Sequence, residues 1–420
     1  MCLEIALLTA AVALLIPSAV LFVECLAAAR APMGAFVPSA AARRPRIAVL
    51  IPAHDEAGQI GATVEALVSE LGAGDRVVVI ADNCTDATAA VVMGVASTPR
   101  AGTVSVVERN DPQNVGKGFA ISFGVETLDA DPPEIVVLVD ADCRVSQGAL
   151  AALADEALRA GRPVQGEYVF SVPPRAGPLA SVSALAALVR NRVRPRGLKA
   201  LGLPCLLTGS GMAFPWRVLR DAPGTHGNLV EDMVLGLELS LRGCPPLLCT
   251  QAQISSELPV GQKAALRQRR RWEHGQLHTL KTFAPRLLAA GLARRNAGLV
   301  GLAADLSVPP LALLVVLQLA WLATTSILWT TGLAGAAPLT LAIAGLGATA
   351  VAVGVAWWRF ARAIVPARTF LAIPFYVLWK LPLYALMLVK GRHKTWERTA
   401  RPGEPGEATP DPRPSPGEGL

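Results

Sequence analysis

Charge and aromatic rings are both scarce in this chain. Of its 420 residues only 17% are Asp, Glu, Lys or Arg, and 5% are Phe, Trp or Tyr, against 52% hydrophobic. So few charges exclude an ordinary soluble protein. A mean hydropathy of +0.43 is nonetheless too interrupted for a pure membrane bundle, so apolar spans grafted onto a globular unit are expected. The shortage of rings bears on the net charge of +7. That charge would suit nucleic acid, but neither a zinc-finger nor an aromatic RNA-binding signature is present, and no nucleic-acid partner is expected. Lys and Arg beside apolar runs mark instead the cytoplasmic side of a membrane and its anionic lipid. The seven cysteines, Cys2, Cys25, Cys84, Cys143, Cys205, Cys244 and Cys249, contain no Cys-x-x-Cys pair. That absence excludes a zinc ribbon and a disulfide framework and leaves free thiols of a reducing compartment. Without internal repeats or many spans, a transporter has no support.

What is present begins with long apolar runs. Ile5 to Val23 carries no charge and is about the minimum for one crossing, so residues 1–29 are expected to form a transmembrane helix. Glu4 in place of an N-terminal Lys or Arg argues against a signal peptide. Arg30, Arg43, Arg44 and Arg46 follow, which places the next segment in the cytoplasm by the positive-inside rule. No charge occurs from Leu306 to Trp358, and residues 306–358 are expected to form a transmembrane hairpin turning near Thr330 to Gly332 or Gly335 to Pro338, followed by Arg359, Arg362 and Arg368. Residues 369–389 are apolar again but carry Lys380 near their middle, at a cost of roughly 2.5–3.5 kcal/mol for insertion. Pro374 and Pro382 should interrupt a helix there. This segment is expected to be interfacial or re-entrant, with a fourth span as the alternative. The Pro-, Gly- and Glu-rich residues 401–420 are expected to be disordered. The whole predicts a multi-pass inner-membrane protein with its globular domain in the cytoplasm.

That domain, residues 44–260, alternates strand and helix patterns. Strands are expected at Ile47 to Ile51, Arg76 to Ile80, Thr103 to Val107 and Ile135 to Val139. Helix patterns run from Gly58 to Leu71, Asp86 to Val92 and Lys117 to Leu128. This rhythm predicts an α/β fold, an open, mostly parallel sheet with helices on both faces. Acids and glycines gather where the strands end: Pro52 to Glu56, Ala81 to Asp86, Asn114 to Gly118, and Asp140-Ala-Asp142. These are the corners at which a doubly wound sheet opens its ligand crevice. Two carboxylates one residue apart after a buried strand suit a hard divalent cation carrying a diphosphate. Val115 to Gly118 is not a P-loop, because the earlier glycine is missing and Gly118 stands where Ser or Thr should follow the lysine. Gly209-Ser-Gly211 lacks the third glycine of a dinucleotide fingerprint.

In this order the motifs resemble the family 2 glycosyltransferases of the Rossmann-like GT-A fold, and within them the membrane-bound branch that includes cellulose, chitin and hyaluronan synthases. The resemblance covers roughly residues 44–280. It implies a nucleotide-sugar donor, most often a UDP-sugar. Pro52, Ala53, Asp55 and Glu56 match the segment lining the nucleoside pocket, Asp82 the acid that holds the base, and Lys117 a lysine near the diphosphate. Asp140 and Asp142 match the metal ligands, for Mg²⁺ or Mn²⁺, with Asp140 also against the donor. Glu231 and Asp232 match the acid pair of the catalytic step, Asp232 being the candidate base for an inverting transfer. Gly209, Ser210 and Gly211 match the segment shaping the acceptor site. Gln268-Arg-Arg-Arg-Trp272 matches the Q-x-x-R-W signature, in which Gln268, Arg271 and Trp272 would meet the donor.

The same resemblance implies a growing polysaccharide, destined for the cell exterior, as acceptor. Single-sugar transfer to a lipid-linked acceptor, a glycolipid or polyprenyl-diphosphate oligosaccharide, is the alternative. A catalytically silent membrane scaffold comes third, since Asp82, Asp140, Asp142 and Asp232 are all present. The small number of spans would call for a homo-oligomer or an export partner. Residues 261–298, with Arg267, Arg269 and Arg270, read as amphipathic interfacial helices on membrane lipid. The basic stretch Arg190, Arg192, Arg194 and Arg196 reads as a solvated face, with an anionic acceptor or lipid phosphate as its other use. His274 and His278 have no third metal ligand in the pattern.

Overall fold

The computed structural model describes residues 2–32, 43–97, 103–171, 177–224, 231–257 and 262–390, and for residues 2, 262–270, 382, 383 and 385–390 the backbone alone. Strand β1 (Ile47–Ala53) is apolar almost throughout because both of its faces are covered. Ile47, Val49 and Ile51 join one core with α2 (Ile60–Glu70), α3 (Thr88–Ala96) and α5 (Ala149–Ala160). Ala48 and Leu50 join the other, with α4 (Lys117–Leu128), α8 (Trp216–Arg220) and α9 (Glu231–Leu241). A strand buried on both sides loses the period-two alternation and reads as a continuous hydrophobic run.

The described strands form one eight-stranded sheet. From edge to edge it runs β3 (Val104–Arg109), β2 (Arg76–Asp82), β1, β4 (Ile135–Leu138), β7 (Met212–Pro215), β6 (Val164–Ser171), β8 (Leu247–Glu257) and β5 (Arg144–Val145). From β3 to β4 every pairing is parallel, as is that of β6 with β8. Strand β7 is antiparallel to both β4 and β6, and β5 to β8, so the sheet is mixed beyond β4. The order reverses beside β1, with β2 on one side and β4 on the other. Connections diverge from such a point and open a crevice at the carboxyl ends of both strands.

Among the described residues three helices are long and apolar enough to cross a membrane: α1 (Cys2–Arg30), α12 (Leu311–Thr330), and α13 (Ala336–Ala356) with its extension to Ala361. Ile5, Ile16, Ile327, Ile343 and Val351 on their outer faces are exposed. Between them Gln318 Nε2 donates to Ser18 Oγ (2.7 Å) and lies 3.1 Å from the Gly345 carbonyl, a polar tie of the kind that joins helices where apolar contact is not selective.

Helix α6 (Pro178–Leu188), a π-turn (Val189–Val193) and α7 (Arg194–Ala200) follow one another and join the sheet to α1. Here the structure corrects the expectation of a solvated basic face. Arg194 is 6% and Arg196 7% exposed. Arg194 Nε donates to Glu24 Oε2 (2.8 Å) and its Nη2 to Asp305 Oδ1 (2.5 Å), while Arg192 (3.0 Å) and Arg196 pair with Glu167. Charge density along the sequence does not reveal that carboxylates on three other segments turn inward to meet it. Glu24 is a buried partner inside α1, which runs on past it to Arg30. Gly197 permits the crossing, since a methyl there would overlap the Glu24 backbone.

Helices α10 (Gln262–Ala293) and α11 (Ala297–Ser307) pack beneath α9, and α14 (Ile373–Lys390) closes the described chain. Pro374 falls in the first turn of α14, where its missing N–H is not needed, and the helix runs on through Pro382, against the expectation that both prolines interrupt it. Lys380 is buried and bonded to Glu273 of α10, so its charge is matched from a distant helix.

Candidate active site

Asp140 and Asp142 lie just past β4, at the reversal of strand order. A carboxylate oxygen of each and Cys143 Sγ lie within 4.8 Å of one another, a group that can hold a metal ion. Burial pushes the Cys143 thiol well up, and its soft sulfur suits a hard divalent cation less than the two carboxylate oxygens do. Each acid is held from behind. Ser256 Oγ on β8 donates to Asp142 Oδ2 (3.0 Å), and the Asp140 N–H donates to Ser210 Oγ (3.0 Å). Ser210 in turn is fixed by Gln165, whose Nε2 donates to the Ser210 carbonyl (2.8 Å) and whose Oε1 accepts from the Thr208 N–H (2.8 Å).

Lys117, at the start of α4, points across the crevice. Its Nζ donates to Asp140 Oδ1 and to the Gly209 carbonyl (2.6 Å). Burial alone would lower its pKa. Asp140 and Asp232 outweigh that, and the ammonium is held above its usual range. Gly209 has φ +101°, and a Cβ built there would lie 3.0 Å from Asp232 Oδ2 and 3.8 Å from Lys117 Nζ. One backbone step therefore joins the metal-binding corner to the acid pair. Glu231 and Asp232 occupy the first turn of α9, where the helix dipole favours negative charge. Burial, with the adjacent Asp232 charge, raises the Glu231 carboxyl. A cavity of about 270 Å³ opens beside Lys117, Glu231 and Asp232, floored by Leu138 and Met212.

The other predicted residues divide into two groups. Asp55, at φ +53°, accepts from the Thr85 N–H (2.6 Å) and Thr85 Oγ1 (3.1 Å), tying the loop after β1 to the loop after β2. The Glu56 N–H donates to Thr88 Oγ1 (2.7 Å). Pro52 pairs with Ile80 inside the sheet, and Ala53 packs in the core. Asp82 Oδ1 accepts from Arg109 Nη1 (2.6 Å) and Asn83 Nδ2 (3.0 Å), and Arg109 Nη2 also reaches Asp111 (2.9 Å). Gly211 lies under Ile254 and sends its N–H to the Leu138 carbonyl (2.9 Å).

From α10, Trp272 packs tilted against Phe170 (centroids 5.4 Å) and Phe170 against Tyr168 (4.8 Å), and Tyr168 OH lies 3.8 Å from Cys143 Sγ. An unbroken chain of side chains thus links α10 to the Asp140–Asp142 corner. Arg271 acts electrostatically on Glu231 and keeps a buried Nε without a partner among the described residues. Gln268 lies in α10, but its side chain is outside the described residues, as are those of Arg267, Arg269 and Arg270; residues 401–420 are likewise outside.

Sequence reasoning passed over Arg109, Gln165 and Ser256. Arg109 was within reach of it, since it ends a strand at the same sheet edge as Asp82. Gln165 and Ser256 lie in ordinary strand sequence, and nothing local marks them.

The family described as Glycosyltransferase like family 2 matches residues 45–275. No curated protein matches the chain. Among solved structures, the mannosyltransferase PcManGT from Pyrobaculum calidifontis, in complex with GDP-Man and Mn2+, is similar over 93% of this chain and 99% of its own, with TM-score 0.52 and 18% identity. Glucosyl-3-phosphoglycerate synthase from Mycobacterium tuberculosis, with Mn2+, UDP-glucose and phosphoglyceric acid, aligns over 49% of this chain and 69% of its own (TM-score 0.34, 20% identity). GalNAc-T7 with UDP, GalNAc and Mn2+ aligns over 51% and 44% (TM-score 0.38, 14% identity).

Proposed function

The chain belongs to glycosyltransferase-like family 2, with the GT-A fold, and from that premise we propose that it is a membrane-bound, metal-dependent inverting glycosyltransferase. The observation that carries this reading is the meeting of Asp140, Asp142, Lys117 and Asp232, from three separate segments, around the Gly209 backbone on a fourth. Asp140 and Asp142 would hold Mg²⁺ or Mn²⁺. Such an ion would supply positive charge against the donor's diphosphate, where negative charge grows as the nucleotide departs. Lys117 adds a fixed cation at the same place, and Arg271 a planar guanidinium suited to phosphate. Asp82, Asp55 and the strand ends around Pro52, Ala53 and Glu56 border the nucleoside side, with a UDP-sugar as the expected donor. Asp232 takes the proton of the acceptor hydroxyl as the sugar shifts, while the rigid turn Gly209 to Gly211 lets that acceptor approach the backbone.

The acceptor is a growing polysaccharide in this reading, supported by Trp272 on its aromatic chain toward the metal corner. Single transfer to a lipid-linked acceptor is the second reading, favoured by the buried arginine ladder that brings α1 against the transferase domain. The three apolar helices support a multi-pass inner-membrane placement with the domain on the cytoplasmic side. Purified full-length protein with Mn²⁺ and a panel of nucleotide sugars should release nucleotide, and product length on a gel separates polymer from single transfer. Absence of metal-dependent nucleotide release with every donor and acceptor class refutes the proposal.

A further inference from the structure

Lys380 is 1% exposed, on the face of α14 that also turns Tyr376, Val377 and Tyr384 inward. The outward side of the same segment, with Leu371, Phe375, Leu378 and Leu381, is exposed and apolar. The lysine is thus the inward-facing charge of a segment that is apolar outside. Its Nζ bonds a carboxylate oxygen of Glu273 on α10, 107 residues away along the chain. It also lies 5.5 Å from the Tyr376 ring centre and 5.9 Å from that of Tyr384, where the ring faces favour a cation. A buried ion pair adds little stability over an apolar pair of similar volume, which packs without the cost of desolvating two charges. What the charged pair adds is a fixed direction between its two helices.

Direction matters at this turn of α10. Glu273 directly follows Trp272, and successive side chains of a helix point about 100° apart. Trp272 reaches the Asp140–Asp142 corner through Phe170, Tyr168 and Cys143. One turn further on, Gln276 Nε2 donates to the Val308 carbonyl (3.1 Å). The helix is therefore held at Glu273 and at Gln276, and a rotation about its axis that swings Trp272 off Phe170 has to break the bond to Lys380. We infer that Lys380 is a positioning residue of the transferase site. It fixes Glu273, and through it the turn that carries Arg271 and Trp272, so that metal-dependent nucleotide binding depends on α14. This rests on the transferase reading above.

The test titrates the full chain, in phosphatidylcholine nanodiscs with Mn²⁺, with UDP and with GDP. Each titration gives the number of binding sites and their affinity separately. A role confined to stability lowers the number of competent sites and leaves their affinity as it was. Lys380→Met should instead weaken the affinity about tenfold, the order found for groups that orient a binding residue from behind. Lys281→Met, at an exposed position of α10, should change neither quantity. Lys380→Met leaves Glu273 buried without its cation, so the double variant Lys380→Met, Glu273→Leu decides if the single one does not fold. With no charge left to bury, its thermal inactivation should match the wild type, while its nucleotide affinity should stay about tenfold weaker. Trp272→Ala should weaken binding to a similar degree, and the double variant added to it should cost little more. Wild-type affinity in the double variant overturns the proposal, as does a loss in Lys380→Met confined to the number of sites. Full additivity with Trp272→Ala overturns the route through Trp272. A wild type that binds neither nucleotide overturns the transferase reading and the positioning role with it. A wild type that binds, with variants that bind equally well, overturns the positioning role alone.

Discussion

Gly209→Ala should separate transfer from donor binding. At φ +101° the backbone of Gly209 lies where an L side chain is strained, at roughly 1–3 kcal/mol. The added methyl carbon would also stand 3.0 Å from Asp232 Oδ2 and 3.8 Å from Lys117 Nζ. The first distance is several tenths of an ångström too short for ordinary contact, so either the Asp232 carboxylate swings away or the turn shifts. A shifted turn carries with it the Gly209 carbonyl, which holds Lys117 at 2.6 Å. Displacement of a reacting group by about 1 Å costs on the order of 10²-fold in rate. The methyl meets Asp232 (3.0 Å) before Lys117 (3.8 Å), so metal-dependent nucleotide affinity, reached only through the shift of Lys117 and of Ser210 behind Asp140, should fall by much less than the transfer rate. The assay pairs a nucleotide titration with Mn²⁺ present against the rate of sugar transfer at saturating donor. In an Asp232→Asn background the same glycine substitution should cost little more, because its target is already disabled. Transfer within twofold of wild type in Gly209→Ala, or full additivity with Asp232→Asn, refutes the claim that this glycine joins the two halves of the site.

Asp142→Asn should weaken Mn²⁺-dependent nucleotide binding by about 10²-fold or more, and Ser256→Ala by about tenfold through loss of the 3.0 Å bond behind Asp142, both read by titration. Asp232→Asn should keep nucleotide affinity while transfer falls by about 10²–10⁴, the usual contribution of a general base; retained transfer would move the base elsewhere. Arg194→Met leaves Glu24 and Asp305 buried without their shared cation, and should destabilise the assembly of α1 with the domain by about 3–5 kcal/mol. That change is measured as faster thermal inactivation in detergent, and restored stability in the Arg194→Met, Glu24→Leu double variant would confirm that the unpaired charge is the cause.

Much of the fold could be read from the chain because its signals are local. The apolar run of β1, the acids that end β2 and β4, and the uncharged stretches of α1, α12 and α13 each follow from a few neighbouring residues and the solvent they prefer. The Asp140–Asp142 doublet and the Glu231–Asp232 pair were visible as candidates for the same reason. Other features were not local. Arg190 to Arg196 looked like a solvated face because a sequence displays its own charges and hides those that will approach. Glu24, Glu167 and Asp305 come from the first helix, a central strand and the end of α11. Lys380 counted against a buried helix until Glu273 met it. Pro374 and Pro382 counted as breaks, although a proline interrupts only a helix that needs its N–H or lacks packing to hold its course.

The amino-acid order alone therefore determined which segments are strand, helix or apolar span, and which acids stand at strand ends, since hydrophobic periodicity and backbone chemistry act over a few residues. Tertiary structure decided which charges meet and that Gly209 is the bridge between metal corner and acid pair. Coulomb attraction and burial depend on distance in space, and folding sets that distance with little regard to separation along the chain.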